Sequence, residues 1–240
     1  MEKIYLDEGL WYIKNFLTKE ELNTLKKYCD EPTGWYTTMR SHYKNILNKF
    51  PMSVPEYEED GTLKFPGIDD VMVKEVMELF IGAGNDTSGE PEKRGKIFER
   101  LESVLPEGYG RNSGIQTFKY CTDEEIKRDR DDSKALNNNN QPIIPEIVDY
   151  AMNWHWEDPG PLGNRTASHS IYLNDDFDGG LVEFRKGYIV KPEAGMLLNI
   201  PIGEEFIHRV TKVLGPNSRH TLYGQCWSDL NVPMSTKDDC

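Results

Sequence analysis

Apolar residues recur at helical spacing in three segments of the N-terminal half. The first helix is predicted to begin at Thr18, because Thr18 and Glu21 have the spacing in which a hydroxyl and a carboxylate satisfy each other's backbone N–H groups. Apolar residues then follow at intervals of three and four. The same periodicity predicts a second helix over Ile68–Ile81 and a third over Lys93–Leu105, which Pro106 ends.

From Arg111 onward the pattern changes to alternation of apolar and polar residues. Gly114–Tyr120 alternates as a half-buried strand does, and a short helix is predicted over Pro145–Met152, with proline at its first position. Seven further short strands are predicted, separated by turn residues. Their segments are NWHWE, ASHSIYLN, LVEFRKG, YIVKP, GMLLNIP, FIHRVTKV and RHTLYGQCW, within residues 153–227. Short strands at this spacing predict an antiparallel sandwich or jelly roll.

The 240 residues are predicted to form one domain that is mainly β with flanking helices. We interpret residues 1–110 as a support layer of helices and strands belonging to that domain. Residues 111–230 form the predicted jelly-roll core, and residues 231–240 a polar tail. Within the core, residues 121–154 are interpreted as an insertion, most of it polar.

The charge balance narrows the classes of partner. The chain has 28 basic and 41 acidic residues, a net charge of −13, and its Lys and Arg residues are scattered, so no nucleic-acid partner is expected. No stretch approaches the ~18 consecutive apolar residues of a membrane span, and the first residues lack the uncharged core of a signal peptide. The four cysteines form no CxxC pair and are interpreted as reduced thiols. We therefore expect a cytoplasmic protein without a membrane partner.

Two side chains that can bind a metal lie two residues apart in the first of the seven strand segments. Residues i and i+2 project from the same face of a strand, so His155 and Glu157 offer an imidazole and a carboxylate side by side. His208, in a later segment, can supply a third ligand across a barrel. Two histidines and one carboxylate are the ligands of non-haem Fe(II) oxygenases. The His-x-Glu spacing also arises by chance, and a buried histidine on a strand can simply hydrogen-bond a carbonyl group.

Arg219 begins the last strand segment, eleven residues after His208. A guanidinium at this position can bind a carboxylate through two parallel hydrogen bonds. A lone arginine at the start of a strand is ordinarily a solvated surface charge. The residue by itself leaves both interpretations open.

Five stretches, taken in order, resemble the prolyl 4-hydroxylase-like branch of the 2-oxoglutarate- and Fe(II)-dependent dioxygenases. They are Ser170–Gly180, Val182–Phe184, Lys191–Gly195, His208–Val213 and Gly215–Arg219, and the N-terminal stretch Tyr12–Glu21 also resembles the entry helix of that branch. The resemblance implies a double-stranded β-helix as the catalytic core. It also implies Fe(II) as the metal, 2-oxoglutarate and O2 as cosubstrates, and ascorbate as an optional addition.

The resemblance implies roles for individual residues. His155 and His208 match the metal histidines, and Glu157 falls where the family usually has aspartate. Asp158 is the second choice for the carboxylate ligand, because it points to the opposite face of the strand.

Three more residues match positions that approach the cosubstrate in this family. Arg219 matches the basic residue that binds the 5-carboxylate of 2-oxoglutarate, and Thr221 projects from the same face. Tyr120 matches the tyrosine of the strand before the first metal histidine. The interval from Tyr120 to His155 is longer than in most relatives because of the insertion at 121–154, which is interpreted as a lid or substrate loop.

The activity implied by the resemblance is hydroxylation of an unactivated C–H bond, with a prolyl residue of a peptide or protein as the expected substrate. Two other classes stay open. One is an oxygenase that acts on a small molecule, and the other is a non-catalytic jelly roll that serves as a binding or viral structural module. The oligomeric state is not determined by the sequence.

Overall fold

The computed structural model describes most of the C-terminal half of the chain and selected parts of the N-terminal half. The described residues are 1–30, 36–37, 46–49, 56–57, 63–64, 75–76, 79, 95–107, 111–125, 149–160 and 164–228.

Strands dominate the described part of the chain. The helices whose bounds are described are α1 (Lys19–Asp30), α2 (Lys96–Val104) and a 3-10 turn (Glu204–Phe206). The first eight strands are β1 (Ile4–Tyr5), β2 (Trp11–Ile13), β3 (Tyr36–Thr37), β4 (Ile46–Lys49), β5 (Glu56–Tyr57), β6 (Leu63–Lys64), β7 (Arg111–Tyr120) and β8 (Tyr150–His155). The other eight are β9 (Arg165–Tyr172), β10 (Asp178–Gly179), β11 (Val182–Phe184), β12 (Ile189–Val190), β13 (Leu197–Pro201), β14 (His208–Thr211), β15 (Val213–Leu214) and β16 (Arg219–Trp227).

Two antiparallel sheets form the core. The major sheet has eight strands in the order β1-β2-β13-β9-β16-β7-β4-β3, and the minor sheet has four in the order β12-β11-β14-β8. Between β7 and β16 the chain passes back and forth between the sheets, since β7, β9, β13 and β16 belong to the major sheet and β8, β11, β12 and β14 to the minor one. This alternation is the winding of a double-stranded β-helix, so the predicted fold class is confirmed.

The N-terminal strands extend the major sheet at both edges. β2 pairs with β13 in the register Leu198↔Tyr12, and β4 pairs with β7 in the register Ile46↔Tyr120. Strands from the first 110 residues therefore belong to the same sheet as the β-helix. The boundaries at residues 110 and 230 stay predictions.

Helices cover the outer face of the major sheet. Leu25 of α1 and Phe98 of α2 are buried against Ile171, Leu197 and Leu222, which lie on neighbouring strands. The residues next to these along β9, β13 and β16 point the other way, because side chains alternate along a strand. The inner face of the major sheet therefore looks toward the minor sheet.

The N-terminus of α1 has the predicted capping box. The backbone N–H of Thr18 donates to Glu21 Oε2 at 2.8 Å, and the backbone N–H of Glu21 donates to Thr18 Oγ1 at 3.2 Å. Arg100 of α2 donates from Nη1 and Nη2 to the two carboxylate oxygens of Glu21, at 2.7 Å each. The capping residue of one helix is thus ion-paired with the other helix.

The helix predictions have mixed outcomes. The helix predicted over Lys93–Leu105 is confirmed over Lys96–Val104, which is α2, and residues 93–94 lie outside the described part. The helix over Pro145–Met152 is wrong at residues 150–152, which begin β8, because pairing with β14 outweighs the local signal of Pro145 at N1; residues 145–148 lie outside the described part. Of the helix over Ile68–Ile81, residues 75, 76 and 79 are described, and they are helical.

All seven predicted strand segments contain strands. The polar tail at 231–240 and residues 126–148 of the insertion lie outside the described residues. No helix in the described part of the chain is long and apolar enough to cross a membrane.

Candidate functional site

A cluster of three side chains lies between the two sheets. His155 ends β8 and His208 begins β14, and the two residues are register partners. Their imidazole ring centroids are 4.2 Å apart. The candidate ligand atoms of His155, Glu157 and His208 all lie within 4.8 Å of one another. The structure thus brings together the three residues that the sequence predicts as metal ligands.

Backbone carbonyl groups fix the tautomer of both histidines. Nδ1 of His155 lies 2.7 Å from the carbonyl oxygen of Asn153, and Nδ1 of His208 lies 2.9 Å from that of Phe206. A carbonyl oxygen only accepts hydrogen bonds, so each Nδ1 carries the proton. In the neutral form of such a ring the lone pair is on Nε2. Metal-binding histidines use this arrangement, because the second hydrogen bond orients the ring.

His208 is held in the neutral form. Its side chain is buried, with an exposed fraction of 4%. Burial lowers the pKa of His208 to about 3, and the neighbouring His155 adds to the effect. A neutral imidazole is the form that binds a metal ion.

Glu157 reaches the cluster although β8 ends at His155. The strand alternation used in the prediction therefore does not position it. Instead, its backbone carbonyl accepts a hydrogen bond from Gly203 N at 3.2 Å, and its Oε2 accepts one from the Tyr223 hydroxyl at 2.8 Å. The residue is buried, with 7% of its surface exposed.

Asp158, the second choice for the carboxylate ligand, is directed elsewhere. Its side chain is 63% exposed and lies 3.4 Å from Nη1 of Arg165. Its Oδ1 accepts a hydrogen bond from Gly160 N at 2.6 Å, which closes a local turn. Among the described residues, only Glu157 supplies a carboxylate to the two histidines.

Arg219 is a buried cation on the inner face of the major sheet. Its exposed fraction is 1%, and it forms no ion pair with any carboxylate in the described ranges. Nη1 donates to the carbonyl oxygen of Gly180 at 3.0 Å, whereas Nε has no hydrogen-bond partner among those residues. A buried, unneutralised guanidinium is costly, so this site favours an anionic ligand.

Tyr120 and Thr221 lie beside this cation, as the sequence predicts. Tyr120 is the register partner of Arg219, and its ring centroid lies 4.4 Å from the guanidinium carbon. Thr221 lies two residues along the same face of β16, and its buried Oγ1 has no hydrogen-bond partner within the described part of the chain. A guanidinium N–H and a hydroxyl are therefore available to the same ligand.

Three residues of this region were not predicted as site residues. Tyr172 packs against Arg219, with 4.9 Å between its ring centroid and the guanidinium carbon. Burial raises the pKa of Tyr172, and Arg219 opposes the shift. Tyr223 and Gln225 lie further along the inner face of β16, and Nε2 of Gln225 donates to the Tyr223 hydroxyl oxygen at 3.1 Å. The alternation through Arg219, Thr221, Tyr223 and Gln225 is a signal that could have indicated the last two.

The buried histidine outside the cluster has a different environment. His169 lies on β9, and the ring Nδ1 is 3.7 Å from Sγ of Cys226. Burial lowers the pKa of His169 to about 3. Its register partners, Asn199 and Gly224, belong to the outer face of the major sheet, so His169 faces away from the cluster.

The sequence matches no protein-family model and no curated protein. The structure does resemble solved ones. It aligns with an oxidoreductase of the 2OG-Fe(II) oxygenase family from Burkholderia pseudomallei, with a TM-score of 0.51, 14% identity, and coverage of 93% of this chain and 86% of that chain. The fold is therefore the one that the 2OG-Fe(II) oxygenase uses, as the sequence resemblance predicts.

A second solved structure has the same fold. It is a prolyl-4-hydroxylase from Pseudomonas putida, which aligns with a TM-score of 0.51, 16% identity, and coverage of 91% of this chain and 92% of that chain. Each of these alignments spans most of both chains. At these identities the likeness establishes the fold, and the site residues carry the argument about activity.

Proposed function

We propose that this chain is a 2-oxoglutarate-dependent Fe(II) oxygenase that hydroxylates an unactivated C–H bond. The observation that carries the proposal is the presence, inside one double-stranded β-helix, of the cluster His155–Glu157–His208 and of the buried Arg219, which has no ion-pair partner among the described residues. Two histidines and one carboxylate suit a ferrous ion that must keep open positions. A buried guanidinium suits a carboxylate of the cosubstrate.

Each part of the site has a defined task in this proposal. His155 and His208 present Nε2, and Glu157 supplies the negative charge. Arg219 and Thr221 bind the distal carboxylate of 2-oxoglutarate, with the Tyr120 ring packed against the guanidinium. Bound Fe(II) supplies the oxidative chemistry, in which 2-oxoglutarate and O2 yield succinate and CO2 while one oxygen atom enters the substrate.

The two binding regions face the same interior. Arg219 lies four residues before Tyr223 on one face of β16, a separation of roughly 13 Å at about 3.3 Å per residue. The Tyr223 hydroxyl contacts Glu157. The cation therefore lies along the strand from the cluster, and a diacid held by Arg219 extends toward the three ligands.

A prolyl residue in a peptide or protein is the substrate that we propose. The support is the sequence resemblance to the prolyl 4-hydroxylase-like branch and the fold shared with the Pseudomonas putida prolyl-4-hydroxylase. The net charge of −13 disfavours nucleic acid as the substrate. A small-molecule substrate is the alternative that the experiment below distinguishes.

The proposal can be tested in two stages. Anaerobic titration with Fe(II) and 2-oxoglutarate should produce a visible charge-transfer band that requires both components and is absent in His208→Ala. An unchanged spectrum would contradict the proposal and favour a non-catalytic binding module. Succinate release, measured with ascorbate present, should then increase with proline-containing peptides and not with matched peptides that carry alanine. If succinate release increased only with small metabolites, the prolyl substrate would be wrong and the oxygenase proposal would stand.

A further inference from the structure

Glu157 is connected to the major sheet by a chain of two hydrogen bonds. Its Oε2 lies 2.8 Å from the hydroxyl of Tyr223, and that hydroxyl lies 3.1 Å from Nε2 of Gln225. Tyr223 and Gln225 belong to β16 of the major sheet, whereas Glu157 follows β8 of the minor sheet. The chain therefore spans the space between the two sheets.

The direction of both hydrogen bonds follows from the groups involved. A carboxylate has no proton to donate, so the phenol donates its single hydrogen to Glu157. The phenol oxygen then only accepts, and it receives an N–H from the amide of Gln225. Glu157 Oε1 accepts no hydrogen bond from the residues that the structure describes. One oxygen of the carboxylate is thus bound to protein, and the other is available to an ion.

Packing holds the tyrosine ring in position. Phe118 of β7 contacts the Tyr223 ring edge to face, with the centroids 5.6 Å apart. Glu157, in contrast, lies beyond the end of β8 and has a long side chain with three rotatable bonds. Its carboxylate therefore needs a contact from outside its own strand to stay in one place.

We propose that Tyr223 is a positioning residue, oriented by Gln225, that directs the Glu157 carboxylate toward the two histidines. The inference rests on the proposed function, because it assigns Glu157 as a metal ligand. A hydrogen-bonded partner of this kind typically changes metal affinity by 10–100-fold. Tyr223 neither touches the ion nor supplies a ligand, and it acts through Glu157.

Metal affinity tests the proposal without any turnover. Co(II) serves as the probe, and its dissociation constant is measured for the protein without 2-oxoglutarate. Tyr223→Phe, which removes only the hydroxyl, should weaken Co(II) binding by about 10-fold. Tyr12→Phe is the matched control, since it removes the same atom from β2 of the same sheet, and its affinity should stay within about twofold of the wild type.

A double-mutant cycle separates positioning from packing. In Glu157→Asp the carboxylate is one methylene shorter and no longer reaches the phenol, so adding Tyr223→Phe should change the affinity less than about twofold. Equal effects of Tyr223→Phe in both backgrounds would overturn the proposal. It would also be overturned if Tyr223→Phe lowered the unfolding temperature of the metal-free protein and left Co(II) affinity unchanged.

The outcomes distinguish this inference from the proposed function. If the wild type fails to bind Co(II), the metal site itself is wrong, and the oxygenase proposal fails with it. If the wild type binds Co(II) and Tyr223→Phe binds it equally well, only the positioning role fails.

Discussion

His155 and His208 face each other as register partners on β8 and β14, and their rings are 4.2 Å apart. Each Nδ1 donates to the carbonyl oxygen two residues earlier in the chain, at Asn153 and Phe206. Two protonated imidazoles at this distance would repel each other, and burial already disfavours charge on His208. Both rings therefore leave Nε2 free of the backbone, so that neutral His208 can share one target with His155.

The choice of carboxylate ligand can be tested by neutralising each acid in turn. Glu157→Gln should weaken Co(II) binding by at least about 10-fold, because the amide keeps the size of the side chain and removes the charge. The Co(II) dissociation constant of Asp158→Asn should stay within about twofold of the wild-type value, since the Asp158 side chain is 63% exposed and closes a local turn. Isothermal titration of both variants measures the difference. A stronger effect of Asp158→Asn would reverse the assignment.

Arg219→Met should weaken the binding of the cosubstrate without lowering the stability of the ligand-free protein. Losing one partner of a buried charge pair costs about 2–5 kcal/mol, so the KM for 2-oxoglutarate should rise by about 30-fold or more. Without ligand, the unfolding temperature should be unchanged or higher, because the variant removes a buried cation that has no ion-pair partner among the described residues.

Arg185→Met is the matched control for this experiment. Arg185 is exposed, and its guanidinium carbon lies 5.5 Å from the Trp154 ring centroid. Its KM for 2-oxoglutarate should be that of the wild type. A large fall in the ligand-free stability of Arg219→Met would show that the guanidinium is already neutralised within the protein.

Gly180 can be tested by adding a single methyl group. Its φ is +57°, and an added Cβ would lie 2.8 Å from the Phe177 ring and 3.3 Å from Cδ of Arg219. Gly187 has φ +93° and nothing within 4 Å of the corresponding position, so Gly187→Ala isolates the backbone strain of about 1–2 kcal/mol.

Gly180→Ala should cost about 1–3 kcal/mol more than Gly187→Ala in the free energy of unfolding, because a rigid ring must move. It should also raise the KM for 2-oxoglutarate, since the carbonyl of Gly180 is the acceptor for Arg219. Denaturant unfolding and steady-state kinetics measure the two effects. Equal stabilities of the two alanine variants would contradict the predicted contact.

The ion pair between Glu21 and Arg100 predicts a dependence of stability on pH. Burial alone would raise the pKa of Glu21, but hydrogen bonds from Arg100 and Thr18 outweigh it and leave the pKa below its ordinary value of 4.5. A carboxyl group whose pKa is lowered by folding adds stability above its ordinary pKa. That stability is lost as the pH falls through the folded-state value.

Glu21→Gln should lower the free energy of unfolding near neutral pH by about 1–3 kcal/mol. It should also reduce the further loss of stability on acidification toward about pH 3. Urea unfolding at several pH values measures both effects. Glu20→Gln, an exposed neighbour in the same turn, should retain the wild-type pH dependence. The prediction would be contradicted if the free energy of unfolding of Glu21→Gln fell on acidification by the same amount as that of the wild type.

The strands and the cluster histidines were predictable because the evidence for them is local. A sheet with one face toward a core alternates apolar and polar residues, so the seven strand segments carry their own signal. His155 and His208 lie within such segments. Thr18 and Glu21 are three residues apart, and their capping box needs no knowledge of the rest of the chain.

The contacts between the sheets could not be predicted in this way. Tyr223 meets Glu157 across 66 positions in the chain, and no pattern within either segment indicates the pairing. The helix prediction over Pro145–Met152 is wrong at residues 150–152 for the same reason. Pairing with β14, which lies far along the chain, determines the conformation of those residues.

The pairing of β8 with β14 is irregular, with register shifts on both sides of Val210. A slip of one residue along β8 would place Trp154 opposite His208 and turn the imidazole of His155 away from the interior. An ion bound by both histidines would link β8 and β14 at this residue pair and hold the two strands in register. Loading the protein with metal should therefore slow amide hydrogen exchange along both strands. A correctly aligned minor sheet would then be a condition for catalysis.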